Sequence, residues 1–376
     1  MANFASLFLA VAALLGVCST VIATTSQDKP LPIFFFHGVT ANAAAASNLA
    51  ANLTAEGRLF TALSFCQDTC STQALNNQIP MAIAQIRSIV ANDSRYANGY
   101  VFVAHSQGGA IARGVIEEMD DHKVKAFVSL AGAVNGAFNG PQPEDALSLY
   151  VFVNYLGPRM LPATILDFSK YTPADLNGKE QREFSDLAAS MPSPQSQYSV
   201  FNLNRSPYYD QWVKTNPYFP KINNLNMCNA SDAQCVADKV RRRDNFLKLN
   251  EAHFFASAGD DVIAPWQQSH LASYSEVSSS EEVETKWASL KLLDVKQTRE
   301  YTSDSYGLKT LDARGGLFFH TAKDVGHNCW LADYTAVGQT VECKFKPLYN
   351  DVVYPVFLSP AFFHAARQGQ NASCLY

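Results

Sequence analysis

A serine stands between a buried-strand pattern and a helix pattern, where it could act as a nucleophile. The strand pattern YVFVA covers 100–104, the segment His105–Gly109 follows it, and a helical pattern then runs to Met119. This is G-x-S-x-G with Ala104 at the first position, and such a strand-to-helix turn lifts the serine oxygen clear of the sheet. The pattern predicts nucleophilic catalysis by Ser106. The alternative is a glycine-rich helix start that a serine caps.

A base and an orienting acid are expected further along the chain. Gly259 and the pair Asp260 and Asp261 follow a strand pattern, and His327 follows the later strand pattern LFFHTA. A histidine there could take the serine proton, while a carboxylate fixes the tautomer of its imidazole. The residues alone leave both acids open, one of them being a turn residue. Five other histidines fit the role of base less well, because they fall in a strand, in a turn, or beside the acids or the serine: His105, His122, His253, His270 and His320.

The same chemistry needs two N–H donors for the negative oxygen that forms during acyl transfer. The residue after the nucleophile, Gln107, supplies one of them. The second is expected from the loop after the first strand, where His37-Gly38-Val39 stands, and we assign it to Val39.

The order of elements shows how these residues could be brought together. Strand patterns that are apolar throughout alternate with helix patterns over 31–132, and the rhythm returns near residue 250. Such strands indicate a mostly parallel sheet with helices on both faces. The segment at about 136–248 is different, being rich in Pro, Tyr, Asn and Ser. We predict one catalytic α/β domain over 24–376, with this segment inserted as a cap over the sheet edge where ligands bind. Its basic run 239–243 is interpreted as a solvent-facing helix surface.

Length, charge and targeting signals limit the class of protein. The 376 residues carry a net charge of −5, which argues against a nucleic-acid partner. The apolar run 4–22 and the small residue Ala23 predict a secretory signal peptide over 1–23, with an uncleaved anchor as the alternative. No other stretch resembles a transmembrane helix.

Sequons and cysteines agree with secretion. Four N-x-[ST] triplets are candidate glycosylation sites, at Asn52, Asn92, Asn229 and Asn371. The closest cysteines along the chain are candidate disulfides: Cys66 with Cys70, Cys228 with Cys235, and Cys329 with Cys343. A zinc site is not predicted, because the sequence has no C-x₂-C pair.

At these motifs the chain resembles the palmitoyl-protein thioesterases, within the α/β-hydrolase superfamily. The similarity covers about 31–345 and is carried by the stretches PLPIFFFHGVT, YVFVAHSQGGAIAR, SLAGAVNGAFNGP, AGDDVIAPWQ, YTSDSYGLKTLDARGGLFF and VGHNCW. The resemblance puts the nucleophile on Ser106 and the base on His327. It selects Asp260 over Asp261, because the acid of that family stands five residues before a proline. The chain departs from the family at Ala104, where glycine is usual, and it matches poorly in the insertion.

The resemblance implies an α/β-hydrolase fold and cleavage of long-chain fatty acyl thioesters, such as S-palmitoylated proteins or peptides, without metal or cofactor. It also implies a lysosomal or extracellular location. A secreted lipase or carboxylesterase with the same catalytic groups is the second hypothesis, since thioester and oxyester cleavage use the same residues. A hydrolase-like binding protein without activity is the third.

Overall fold

The computed structural model describes residues 29–190, 192–229 and 231–363. The strands are β1 (Ile33–Phe36), β2 (Phe60–Ala62), β3 (Tyr100–His105), β4 (Val124–Leu130), β5 (Glu251–Ser257), β6 (Ser273–Tyr274), β7 (Leu292–Leu293) and β8 (Leu317–Ala322). Six of them form a parallel sheet in the order β2-β1-β3-β4-β5-β8. The two short strands β6 and β7 form a separate antiparallel pair. The sheet confirms the predicted α/β-hydrolase fold. The predicted signal peptide and Asn371 lie outside the described residues.

The sheet is apolar on both faces because alternate side chains of its strands enter two different cores. Phe34 and Phe102 pack on one face, whereas Ile33 and Val101 pack on the other. Burial on both faces requires helices on both sides of the sheet. The helices are α1 (Ser47–Ala55), α2 (Leu75–Asn92), α3 (Gln107–Glu118), α4 (Asp145–Val151), α5 (Gly157–Met160), α6 (Lys179–Ser190), α7 (Pro192–Gln197), α8 (Ser199–Leu203), α9 (Tyr209–Thr215), α10 (Phe219–Ile222), α11 (Ala233–Phe246), α12 (Ser280–Thr285), α13 (Arg299–Thr302), α14 (Leu308–Ala313) and α15 (Phe345–Leu348).

The two faces are covered by different helices. Leu49 and Leu53 of α1 and Phe345 of α15 belong to one core, and Ile111 and Val115 of α3 belong to the other. The predicted arrangement of helices on both faces is therefore present. Within the described ranges, no helix combines the length and the apolar character that crossing a membrane would require.

The chain between β4 and β5 builds a third, smaller core of its own. Helices α4 to α11 all fall in this segment. Phe168, Phe184 and Phe201 are buried there, and Phe152 packs against them. The rings of Phe184 and Phe201 stack with centroids 5.0 Å apart. Several aromatic residues of the segment therefore stabilise a local core, as small satellite clusters commonly do.

The contacts of the basic run 239–243 in α11 contradict its interpretation as a solvent-facing helix surface. Arg241 binds Glu118 and Asp120 at 2.7 and 2.9 Å. Arg242 is 2% exposed, and its Nε donates to the side chain of Asn224 at 3.0 Å. The run docks α11 against the acidic end of α3, so these cations serve packing between helices. The sequence contains both the acidic and the basic residues, but it does not show which of them lie close together in the fold.

Parallel strands bring the predicted functional residues to one edge of the sheet. Phe36 at the end of β1 pairs with Ala104 of β3, which in turn pairs with Ser129 of β4. On the other side, Ser257 at the end of β5 pairs with Ala322 at the end of β8. The loops that follow these strands therefore emerge at the same edge, where ligands bind in open α/β folds.

Candidate active site

Ser106 lies at a strained turn between β3 and α3. Its backbone has φ 57° and ψ −130°, a conformation that non-glycine residues rarely adopt. Its carbonyl accepts hydrogen bonds from the N–H groups of Gly109 and Ala133, at 3.0 and 3.1 Å, and its own N–H donates to the Leu130 carbonyl. These bonds hold the turn in place, and the side chain is 8% exposed at the wall of a cavity.

The turn also needs a residue without a side chain at position 108. A Cβ placed on Gly108 would lie 2.3 Å from the carbonyl oxygen of Phe36 and 2.7 Å from that of His37. Real Cβ atoms do not approach backbone oxygens so closely, and backbone cannot turn away as a flexible side chain can. Gly108 therefore allows α3 to start directly against the end of β1.

We expect Gly108→Ala to displace the turn and to lower kcat about 100-fold, since a shift near 1 Å has that effect on aligned groups. Overpacking should also lower the free energy of unfolding by about 1–3 kcal/mol. Gly57→Ala is the matched control, because a Cβ there meets nothing within 4 Å although φ is +79°. It should lose about 1 kcal/mol from backbone strain and keep its kcat. Urea unfolding and steady-state kinetics measure both effects, and an unchanged kcat in Gly108→Ala would contradict the expectation.

Asp260 and His327 form a buried pair. Nδ1 of His327 lies 3.0 Å from each carboxylate oxygen of Asp260, and both side chains are nearly excluded from solvent. Because a carboxylate only accepts, Nδ1 carries the proton, and Nε2 is left as the acceptor. Asp260 itself is held by the N–H groups of Val262 and Ile263, at 2.9 Å each. The imidazole therefore has a fixed tautomer and orientation.

The environment of His327 favours its protonated form. Burial is the largest single influence and would lower the pKa, but the charge and hydrogen bond of Asp260, together with the charge of Asp261, outweigh it and raise the pKa. The neighbouring His105 behaves in the opposite way. Burial, and then repulsion by His327, lower the pKa of His105 to about 3, so this ring stays neutral. Its Nε2 donates to the His327 carbonyl at 2.8 Å.

Asp261 contacts the backbone around His327 instead of its ring. One oxygen accepts from the His327 N–H at 3.0 Å, and the other accepts from the Tyr334 hydroxyl and the Val337 N–H, at 2.7 and 3.0 Å. Asp261 thus ties together the two halves of the loop after β8. Of the two adjacent acids, Asp260 is the one that meets the imidazole.

The loop after β1 packs directly on Ser106. A Cβ on Gly38 would lie 3.0 Å from the Ser106 Cβ and 3.4 Å from its Oγ. The ring nitrogens of His37 lie 3.0 Å from the carbonyls of Gly38 and Phe65, which fixes this loop. Val39 follows and lines the same cavity wall as Ser106. The residues predicted to supply N–H donors, Val39 and Gln107, are therefore next to the serine.

The direct link from Ser106 Oγ to His327 is not among the hydrogen bonds that the described residues form in this structure. Bonds of this kind are often long without substrate and tighten when the reacting group is bound. Ser106 and His327 are connected indirectly, because the side chain of His105, the residue before Ser106, donates a hydrogen bond to the His327 carbonyl.

A largely apolar cavity opens beside Ser106. Together with the open solvent at its mouth, it encloses about 780 Å³ of empty space. The walls combine Val39 of the loop after β1, residues of the segment between β4 and β5, and two residues of the loop after β5: Ala133, Phe138, Phe152, Leu156, Met160, Phe184, Val200, Leu203, Val262 and Ile263. Such a cavity suits a hydrocarbon chain that leads up to the serine.

The sequence interpretation missed several residues of this cavity. Phe184 and its neighbours Glu180 and Gln181 line it, and none of them belongs to a recognisable catalytic pattern. A signal existed, since the buried positions 180, 181, 184, 185 and 188 of α6 follow helical spacing. Three polar residues on that buried stripe, Glu180, Gln181 and Ser185, were the unusual feature.

The described part of the chain contains three disulfides, which are the predicted pairs: Cys66–Cys70, Cys228–Cys235 and Cys329–Cys343. Disulfides are typical of proteins that fold in the secretory pathway. Cys329 stands two residues after His327, so the third bridge tethers the loop that carries the imidazole. Among the described sequon asparagines, Asn92 and Asn229 are exposed, whereas Asn52 is half-buried on α1.

Comparison with known proteins gives a match to a family model described as palmitoyl protein thioesterase, over residues 32–327. Lysosomal thioesterase PPT2-B of Xenopus laevis is 26% identical over 65% of this chain and 68% of its own length. Lysosomal thioesterase PPT2 of Homo sapiens is 23% identical over 77% of this chain and 79% of its own. A solved 2-hydroxy-6-oxo-6-phenylhexa-2,4-dienoate hydrolase of Rhodococcus sp. superposes with a TM-score of 0.36 at 15% identity, covering 81% of this chain and 85% of that one.

Proposed function

The chain belongs to the palmitoyl protein thioesterase family, and from that premise we propose that it hydrolyses long-chain fatty acyl thioesters of proteins or peptides through an acyl-enzyme on Ser106. The observation that carries the proposal is the apolar cavity at the strained serine, close to a buried acid–imidazole pair. In this proposal Ser106 is the nucleophile, His327 the base and Asp260 the residue that orients it.

The proposed reaction begins when Ser106 Oγ attacks the thioester carbonyl and its proton passes to Nε2 of His327. Asp260 stabilises the imidazolium that forms. The N–H groups of Val39 and Gln107 hold the tetrahedral oxyanion, helped by the positive end of α3. The C–S bond then breaks, and the leaving sulfur takes the proton from His327.

Water completes the cycle. His327 removes a proton from the water that attacks the acyl-enzyme, and the Ser106 oxygen takes that proton back when the ester bond breaks. The products are the fatty acid and the free thiol, and the enzyme returns to its starting state. The groups in use are the same for an oxyester, so the catalytic residues do not decide between the two substrates.

The deciding experiment compares kcat/KM for a palmitoyl thioester with that for the matched oxyester. We expect the thioester to be cleaved faster by at least about tenfold, which corresponds to about 1.4 kcal/mol of transition-state free energy. A clear preference for the oxyester would instead make the protein a lipase or carboxylesterase. A purified, folded protein that cleaves neither would favour the hydrolase-like binding protein.

The raised pKa of His327 predicts how activity depends on pH. A base must be neutral to accept the serine proton, so activity is lost as pH falls through the pKa of His327 in the folded protein. Because Asp260 and Asp261 raise that pKa above the usual value of 6.5, the acidic limb of kcat/KM should have its midpoint above pH 6.5.

The variant Asp260→Asn tests this assignment through its residual activity. Without the carboxylate charge, burial lowers the pKa of His327, and the limb should move to lower pH. A limb that stays in place after Asp260→Asn would show that another group titrates.

The location proposed for the protein is the lysosome or the extracellular space, supported by its lysosomal relatives and its disulfides.

A further inference from the structure

Three polar side chains that line the cavity beside Ser106 each have one buried atom without a hydrogen-bond partner among the described residues. Glu180 is 2% exposed, and its Oε1 has no hydrogen-bond partner among the described residues. Gln181 is 4% exposed, and its Nε2 also has no hydrogen-bond partner among these residues. Gln107 is 1% exposed, and its Oε1 has none either. Buried polar groups are almost always paired, so three unpaired atoms among the residues that line one cavity require an explanation.

The two amides have defined orientations. Nε2 of Gln107 donates to the Ser71 carbonyl at 2.7 Å, which leaves Oε1 as a free acceptor. Oε1 of Gln181 accepts from the Gly178 N–H at 3.1 Å, which leaves Nε2 as a free donor. Reversing either amide would place like groups against each other. The residues that line the cavity therefore include at least one free donor and one free acceptor.

The carboxyl of Glu180 adds a group that is neutral near pH 7. Burial, reinforced by Glu183 and opposed by Lys170, raises the pKa of Glu180 to about 8. Protonated Glu180 can donate one hydrogen bond and accept another. A hydrocarbon chain alone would leave all three side chains unsatisfied, whereas a neutral group that both donates and accepts would pair with them. A hydroxyl is the smallest such group.

We infer that this cavity selects acyl chains that carry a hydroxyl group, with Glu180 and Gln181 as its specificity-determining residues and Gln107 as a further acceptor. The inference rests on the proposed function, and it narrows the substrate class from fatty acyl thioesters to hydroxy-fatty acyl thioesters. The apolar walls bind the hydrocarbon, and the polar cluster binds the hydroxyl. A site built to pair with a hydroxyl discriminates strongly against a chain that lacks it, because the polar groups of the site then remain unpaired.

The test uses N-acetylcysteamine thioesters of palmitate and of its monohydroxy positional isomers. For the wild-type protein, we expect at least one isomer to exceed palmitate in kcat/KM by tenfold or more. Glu180→Met and Gln181→Met should each reduce this ratio to within about twofold of one. Glu180→Gln is the matched control, since it keeps donor and acceptor atoms and should retain most of the preference.

Two results would overturn the inference. One is a wild-type ratio near one for every isomer, which would mean that solvent alone satisfies the three side chains. The other is a preference that survives in the double variant Glu180→Met/Gln181→Met. Circular dichroism and thermal unfolding check that these variants are folded, independently of their activity.

A binding measurement separates this inference from the proposed function. Calorimetry with Ser106→Ala gives the Kd of each free hydroxy-fatty acid and of palmitate, whether or not the wild-type protein cleaves thioesters. Tighter binding of one hydroxy acid by tenfold or more supports the inference even if only oxyesters are cleaved. Equal Kd values overturn it even if palmitoyl thioesters are good substrates.

Discussion

Ser106→Ala is expected to lower kcat by about a million-fold, because removing the nucleophile of a serine hydrolase has an effect of that size. The acyl-enzyme cannot form without the Ser106 oxygen, and only the binding of the substrate and of the oxyanion remains to accelerate attack by water. Stopped assays over long incubation, with a palmitoyl thioester, measure the remaining rate against the uncatalysed background.

The control for this variant is Ser269→Ala. Ser269 is also buried, its hydroxyl has no hydrogen-bond partner among the described residues, and it lies outside the proposed catalytic groups. It should keep wild-type kcat and a similar melting temperature. Near wild-type turnover by purified Ser106→Ala would refute the assignment of the nucleophile.

Asp260→Asn is expected to lower kcat by about 10⁴-fold with little change in structure. An asparagine of the same shape cannot stabilise the imidazolium, and it lets His327 adopt the wrong tautomer. Single-turnover kinetics should show the loss in formation of the acyl-enzyme, where His327 acts as the base.

The adjacent variant Asp261→Asn should behave differently. Asp261 anchors the His327 N–H and the Tyr334 hydroxyl, so its loss should lower the free energy of unfolding by about 1–3 kcal/mol. Its effect on kcat should be far smaller than that of Asp260→Asn. The reverse order of the two effects on kcat would transfer the orienting role to Asp261.

The strands of the sheet could be predicted because their sequences satisfy a strong local requirement. A parallel strand covered on both faces must be apolar along most of its length, and the runs at β1, β3 and β4 are. The strand pattern at 100–104 ends within one residue of the observed end of β3. The short pair β6 and β7 was not predicted, because two-residue strands contain no periodicity to detect.

The candidate site could be predicted in part, because each of its residues directly follows a strand. What the residues alone left open was the choice between Asp260 and Asp261, since side-chain direction in a tight turn depends on backbone angles that sequence spacing does not fix. The structure distinguishes them by contact: one meets the imidazole and the other meets the backbone.

Contacts between distant parts of the chain were beyond the sequence. The basic run of α11 was interpreted as solvent-facing, but Arg242 is buried against α3 and the segment near Asn224. Likewise, Glu180 reads as an ordinary acid in the first turn of α6 until the fold places it in an apolar wall. The sequence could show neither feature, because burial of a charge depends on which elements of the fold meet.

The strained backbone of Ser106 helps to distinguish a catalytic protein from one that only binds a ligand. At φ 57° and ψ −130° a serine is held in a conformation that glycine adopts without strain. A protein under selection only to hold a ligand would gain nothing from a hydroxyl there, and mutation toward glycine would relieve the turn. Catalysis by the hydroxyl gives a reason to keep a serine at a position where the backbone conformation is strained. The strained serine therefore argues for an enzyme on grounds of stability, independently of any relative.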